Sequence, residues 1–175
     1  MRKGDRGVDI VMGIEKRVFI MQFWAQDVML TKGSTAEMRA VAGAAHVWLT
    51  GATVRQLNAT WPFVKCSDWA EAVERGEATE FRWRRYLTDP LPPHMVELGP
   101  FIVAAAREPR LRALYPFTSH LTLRFRPTIQ PVDAFDLCVI PLGDGIYRVV
   151  VPARREMGTG DASTSVRLAL TMLHD

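Results

Sequence analysis

The spacing of hydrophobic and polar positions changes rhythm twice along the chain, and each change marks a different kind of element. Over residues 17–33, RVFIMQFW and VMLTKG are rich in β-branched, aromatic and methionine residues and flank a polar AQD. Two such runs around a short polar break predict a β-hairpin. Met21, Ala25, Val28 and Met29 also stand at helical spacing, so a helix is the competing reading. Ahead of this, the basic residues Arg2, Lys3 and Arg6 precede an apolar run broken by Asp9, Glu15, Lys16 and Arg17. Residues 1–16 are expected as a loose N-terminal tail, with Met12 an alternative start.

From Ser34 the period lengthens to that of a helix. Ser34 with Glu37 reads as a capping box, followed by Met38, Val41, Ala42, Ala45, Trp48 and Leu49 as a buried face that Gly51 ends. Thr53 with Gln56 reads as a second capping box, for a short helix ending near Trp61–Pro62. Ser67 opens a third helix, with Asp68 and Glu71 suited to its positive N-terminal end and Gly76 interrupting it. A fourth helical stretch, from Glu77 to Leu87, stops at Asp89–Pro90. Pro92 and Pro93 lead into another, which Pro100 should kink or divide, and Pro109 opens a last turn ending near Tyr115.

After Leu121 the period shortens to two. LTLRFR alternates apolar and basic residues, as a strand with one solvated face does. DLCVIPL and IYRVVVP are two more strands, joined by Gly143-Asp144-Gly145, where glycine supplies the positive φ of a tight hairpin. Val166, Leu168, Ala169, Leu170, Met172 and Leu173 form a closing helix. The expectation is an α+β fold in one domain over residues 1–175: an N-terminal β-hairpin, a helical middle, a C-terminal three-strand antiparallel unit and a closing helix.

Composition narrows the chemistry. Apolar residues make up 48% and charged residues 23% of 175, ordinary for a globular chain, which argues against disorder. A net charge of +3 is too mild to imply a nucleic-acid partner, and the aromatics do not interleave with basic residues as a base-stacking platform requires. A weak nucleic-acid binder is thus the third-ranked reading. The longest apolar window, Val18 to Leu30, contains Gln22, Gln26 and Asp27 and is too short to span a bilayer. No membrane association and a cytoplasmic location are expected. Cys66 and Cys138 lack metal-knuckle or redox spacing, and His46, His94, His120 and His174 are dispersed without a metal-ligand motif. His46 reads as a hydrogen-bonded core residue. No glycine-rich phosphate loop is present. Neither a metal nor a cofactor is expected.

The segment Tyr115-Pro-Phe-Thr-Ser-His120 places a phenol, two hydroxyls and an imidazole at a helix–strand junction. Tyr115, Ser119 and His120 are the catalytic candidates. If Ser119 and His120 both lie on extended chain, however, their side chains point to opposite faces, and no Gly-x-Ser-x-Gly elbow is present. The plainer alternative has Thr118 or Ser119 satisfying loop backbone and His120 bonding in the core. Arg124 and Arg126 share one strand face with Thr122, a face suited to a phosphate or carboxylate, although such residues more often pair with carboxylates or solvent. Thr118, Arg124 and Arg126, with Trp83 and Arg84, are the ligand-binding candidates. The tryptophans are otherwise simplest as core anchors.

The blocks FWAQDVML, AGAAHVWLTGATVRQLNATWPFV, EAVERGEATEFRWRRYL, EPRLRALYPFTSHLTLRF and PLGDGIYRV, in that order over about residues 17–155, resemble an actinobacterial family of unestablished chemistry named for natural product biosynthesis. Longer members carry a further segment before the first hairpin. The resemblance implies a secondary-metabolite setting and no catalytic residue. Two functions follow as expectations. One is an accessory or binding protein recognising a pathway protein, peptide or anionic small molecule. The other is a cofactor-independent tailoring enzyme or cyclase using the Tyr115–Arg126 junction.

Overall fold

Alternation decides the first sheet. In FIMQFWA the odd positions Phe19, Met21 and Phe23 are buried, while Ile20 is exposed and Gln22 half-exposed. The computed structural model describes residues 1–130, 137–151 and 155–173. They fall into two compact units, Met1–Ala78 and Thr79–Asp175, where the sequence pattern suggested one domain. The class is α+β: a four-stranded antiparallel sheet, a helical middle, a five-stranded antiparallel sheet and a C-terminal helix.

In the first unit, strands β1 (Arg2–Lys3), β2 (Arg6–Met12), β3 (Phe19–Ala25) and β4 (Val28–Thr35) pair in chain order. The expected hairpin is β3–β4, with Gln26 and Asp27 both at positive φ (49° and 61°) in its two-residue turn. The loose tail is corrected: Arg6 to Met12 pair in continuous register with Ala25 to Phe19. The basic residues of this segment are no obstacle to a strand. Arg6 stacks on Trp48, 4.2 Å from its ring, and donates to the carbonyls of Trp48 and Ala52.

Helix α1 (Met38–Leu49) covers the sheet with Val41, Ala44, Ala45 and Trp48. Trp48 is fully buried, meets Phe23 edge-on at 5.9 Å, and donates from Nε1 to the carbonyls of Gly7 and Trp24. The expected Ser34 capping box is absent because Ser34 remains in β4; Glu37 is the N-cap residue, and the Thr35 hydroxyl accepts from its N–H. Helices α2 (Val54–Thr60) and α3 (Asp68–Glu74) start as read. Thr53 and Gln56 form a complete capping box, and Ser67 accepts from Ala70 N–H.

In the second unit, α4 (Ala78–Thr88) is followed by a 3₁₀ turn (Pro93–Leu98), then α5 (Gly99–Ala105) and α6 (Pro109–Arg112). Pro100 does divide the predicted helix: it occupies the first turn of α5, where its missing N–H costs nothing. The expected three strands are the centre of a larger sheet of β5 (Tyr115–Ser119), β6 (Thr122–Arg126), β7 (Leu137–Gly143), β8 (Ile146–Val151) and β9 (Arg155–Gly160). One face buries Leu123, Phe125, Val139, Tyr147 and Val149 against α5, the 3₁₀ turn and α7 (Ala162–Thr171). Asp161 caps α7 by accepting from Thr164 N–H, and the buried Ser165 hydroxyl donates to carbonyls of Gly160 and Tyr147.

Candidate functional site

The β5–β6 hairpin turns on two residues, His120 and Leu121, at φ of 49° and 65°. Both lie in the left-handed region, which glycine, asparagine and, less readily, histidine adopt and a bulky side chain such as that of Leu121 adopts only at a cost. Every other two-residue turn of the described residues that has this geometry carries asparagine-like or glycine chemistry in part: Gln26-Asp27, and Asp144-Gly145. At the tip of β5–β6 stand an imidazole and an isobutyl group, and the Leu121 side chain is 58% exposed.

This conformation brings Ser119 and His120 together. Extended backbone would have pointed them to opposite faces. Because His120 is left-handed, its Nδ1 lies 3.0 Å from the Ser119 hydroxyl. The two side chains, with Thr118, Leu121, His94 and Met95, line an open cavity of about 270 Å³. His94 comes from the 3₁₀ turn that Pro92 and Pro93 initiate, so an imidazole from a separate segment joins the hairpin tip. The Thr122 hydroxyl donates to the Ser119 carbonyl at 2.6 Å and ties the base of the turn.

Behind the tip lies a second polar cluster. Arg82 and Tyr86 stand one turn apart on α4 and therefore on one face of it. Arg82 donates from Nε and Nη2 to the Tyr115 hydroxyl, at 3.3 and 3.0 Å. Tyr86 is bonded to the Thr118 side chain; burial pushes the Tyr86 phenol above its ordinary value, and the Thr118 contact opposes that rise. Tyr115 itself is buried and stacks on Phe117, with ring planes 15° apart. Thr118 thus belongs to both groups and joins the α4 cluster to the cavity.

The remaining candidates do not line the cavity, although Arg126 pairs with Tyr115 across the β5–β6 hairpin. Arg124 and Arg126 lie on the sheet face opposite the core, over the Phe117 ring at 6.0 and 4.2 Å. Trp83 is fully buried against Phe125 and donates to the Leu114 carbonyl at 3.0 Å, so it presents no surface to a ligand. Arg84 is exposed on α4, 5.4 Å from the Phe81 ring. Sequence reasoning grouped Tyr115, Thr118, Ser119 and His120 because they are contiguous. It missed Tyr86 and left His94 among the dispersed histidines, since only tertiary packing brings them to β5. The four-residue spacing of Arg82 and Tyr86 was the available signal.

His46, read as a core residue, is exposed on α1, because Ala45 and Trp48 take the inward positions of that turn. His174 lies outside the described residues. Among the described residues, no three histidine, cysteine or acidic side chains gather for a metal ion, and Cys66 and Cys138 are free thiols. No helix among them is long and apolar enough to cross a membrane.

The fold and site therefore define an α+β protein with two antiparallel sheets and a small polar cavity at the tip of an edge hairpin of the second. The chain belongs to DUF6193, a family of unknown function, whose model matches residues 77–173, nearly the whole of the second unit. No curated protein and no solved structure matches the chain.

Proposed function

We propose that the chain is a cytoplasmic accessory or binding protein of a secondary-metabolite pathway, one that recognises a pathway protein, a peptide or an anionic small molecule through the β5–β6 tip. The observation that supports this reading is the His120–Leu121 turn. Leu121, a bulky residue held at positive φ beside His120, costs roughly 1–3 kcal/mol relative to a relaxed backbone. The strain presents an imidazole and an exposed apolar side chain side by side, next to His94 and two hydroxyls. Such a tip offers hydrogen-bond donors for a carboxylate or phosphate and an apolar contact beside them. The pathway setting and the actinobacterial origin rest on the sequence resemblance alone.

Scatter of the other candidates favours binding over catalysis. Trp83, Arg124 and His120 occupy the core, the opposite sheet face and the hairpin tip, and do not surround one reacting atom. The test is titration of the purified protein with pathway proteins, peptides and small anions, read by calorimetry. Binding by the wild type that His120→Ala and His94→Ala abolish supports the reading; binding unaffected by either removes it.

The Ser119–His120 contact favours a second reading, a cofactor-independent tailoring enzyme or cyclase. In that reading His120 draws the proton from the Ser119 hydroxyl, which is within hydrogen-bond reach. Mass spectrometry of a pathway intermediate incubated with the protein distinguishes the two. Turnover lost in Ser119→Ala establishes the enzyme, and a bound substrate unchanged in both mass and chromatographic retention, so that isomeric products are also detected, excludes it.

A further inference from the structure

The first unit carries a groove that the reading of the second unit does not use. On the core side of the sheet, beyond the edge of α1, a cavity of about 490 Å³ opens between the β1–β2 edge and the helix. That volume lies within the range of about 300–1,000 Å³ common for small-molecule sites. Its wall is apolar and unevenly covered: Val41 and Ala45 are buried in its floor, while Ile10, Met38 and Ala42 reach solvent along its sides. The strand alternation puts Ile10 on the core face, paired with Met21, yet it stays 38% exposed because the helix leaves it uncovered.

The groove is polarised along its length. Lys3 pairs with Arg6, whose guanidinium donates to the carbonyls of Trp48 in the last turn of α1 and of Ala52 just beyond it. His46, in the last turns of the helix, lines the same end. Met38 lies eight residues earlier, about 12 Å away along the axis at 1.5 Å per residue. Ile10 likewise stands further along β2 than Arg6. Neither the Lys3 ammonium nor the His46 ring has a hydrogen-bond or ion-pair partner among the described residues. Of the carbonyls at the C-terminus of α1 that would repel an anion, Arg6 satisfies that of Trp48, and Thr50 satisfies those of His46 and Val47.

We infer that this groove binds an amphiphilic anion, an unbranched aliphatic chain ending in a carboxylate, with the head group between Lys3 and His46 and the chain lying toward Met38 and Ile10. An ammonium and an imidazole at one end select for charge, and the apolar floor selects for chain length. The inference is independent of the hairpin-tip site and fails or stands without it.

Decanoate is the probe, with 1-decanol and acetate as controls, titrated into the full chain below their aggregation concentrations. Carbon-labelled methionine methyl resonances report position, since Met38 lines the groove and Met157 lies in the other unit. Expected results are decanoate binding about tenfold tighter than decanol, no binding of acetate, and movement of the Met38 signal with Met157 unmoved. Lys3→Met with His46→Leu should bring decanoate down to the level of decanol, and Ala42→Phe should abolish both while leaving the Met157 signal in place. Equal binding of decanoate and decanol by the wild type, no binding, or a decanoate preference that survives the double substitution each overturns the assignment. So does a dimer of the free protein that Ala42→Phe converts to a monomer, because a second copy would then fill the groove.

Discussion

The Ser119 hydroxyl and His120 Nδ1 lie 3.0 Å apart although the residues are adjacent in a hairpin, because the second of them is left-handed. Consecutive residues of a strand cannot make this contact, since their side chains alternate between faces. The contact therefore reports the turn, and substitutions that act on the turn separate backbone strain from side-chain chemistry.

Replacing His120 with glycine removes the imidazole and relieves the positive-φ strain together. His120→Gly should raise stability by about 1 kcal/mol while losing ligand recognition at the tip. His120→Val should lower stability, because a β-branched residue tolerates the left-handed region poorly. Denaturant unfolding alongside the calorimetric titration measures both effects. A glycine variant that is less stable than the wild type would show that the imidazole contact outweighs the strain.

The two positions read as capping boxes, Ser34 and Thr53, behave differently. Thr53→Ala removes the hydroxyl that caps α2 and should cost about 1 kcal/mol. Ser34→Ala should leave stability within about 0.5 kcal/mol, because Ser34 is an exposed strand residue that caps nothing. Chemical denaturation of the two variants, monitored by tryptophan fluorescence, checks the difference.

Gly33 is required by a close approach of backbone to backbone. A Cβ at that position would stand 2.7 Å from the Phe63 carbonyl oxygen and 2.9 Å from Val64 Cα, where Gly33 forms a bridge with Val64. Main chain cannot move aside as a flexible side chain does, so Gly33→Ala should destabilise the first unit by about 1–3 kcal/mol. Hydrogen exchange of β4 amides should accelerate in this variant, and unchanged protection there would contradict the close approach.

Glu71 joins Arg55 and Cys66. Arg55 donates two parallel hydrogen bonds to its carboxylate, at 2.9 and 2.7 Å, and the Cys66 thiol donates at 3.3 Å. The Arg55 contact, followed by that of the thiol, holds the Glu71 carboxyl below its ordinary value, while burial and then Glu71 push the Cys66 thiol up. A carboxyl lowered in the folded state stabilises fully above the ordinary carboxylate range and loses that contribution as pH falls through its folded value. Stability of the wild type should therefore decline more steeply on acidification than that of Glu71→Gln. At mildly alkaline pH, alkylation of Cys66 should be faster in Glu71→Gln, because the thiol loses its acidic neighbour. Melting curves against pH and mass spectrometry of the Cys66 peptide read the two effects.

Local signals in the chain were reliable where a few neighbouring residues decide the outcome. The Thr53–Gln56 box, the Ser67 cap, the division at Pro100 and the turn at Asp144-Gly145 all depend on contacts within four residues. Ser34 misled because a cap motif is also compatible with a strand, and pairing of Ile20 with Ser34 decided between them. β2 was invisible for a related reason. Asp9 pairs with Arg2 and Arg6 stacks on Trp48, an arrangement that exists only once the sheet and α1 are in place.

What the sequence by itself determined is the α+β class, the starts of α2 and α3 and the turns at Gln26-Asp27 and Asp144-Gly145, since periodicity and turn chemistry are properties of short segments. Only the tertiary structure decided the sheet edges, the division into two units and the composition of the cavity. His94 reaches Ser119 and His120 because the 3₁₀ turn packs beside the hairpin, and Tyr86 reaches Thr118 because α4 lies along β5. Lys3 and His46 share a groove for the same reason, 43 positions apart in the chain and joined by one strand edge and one helix. Contacts at such separations depend on packing that no local pattern records.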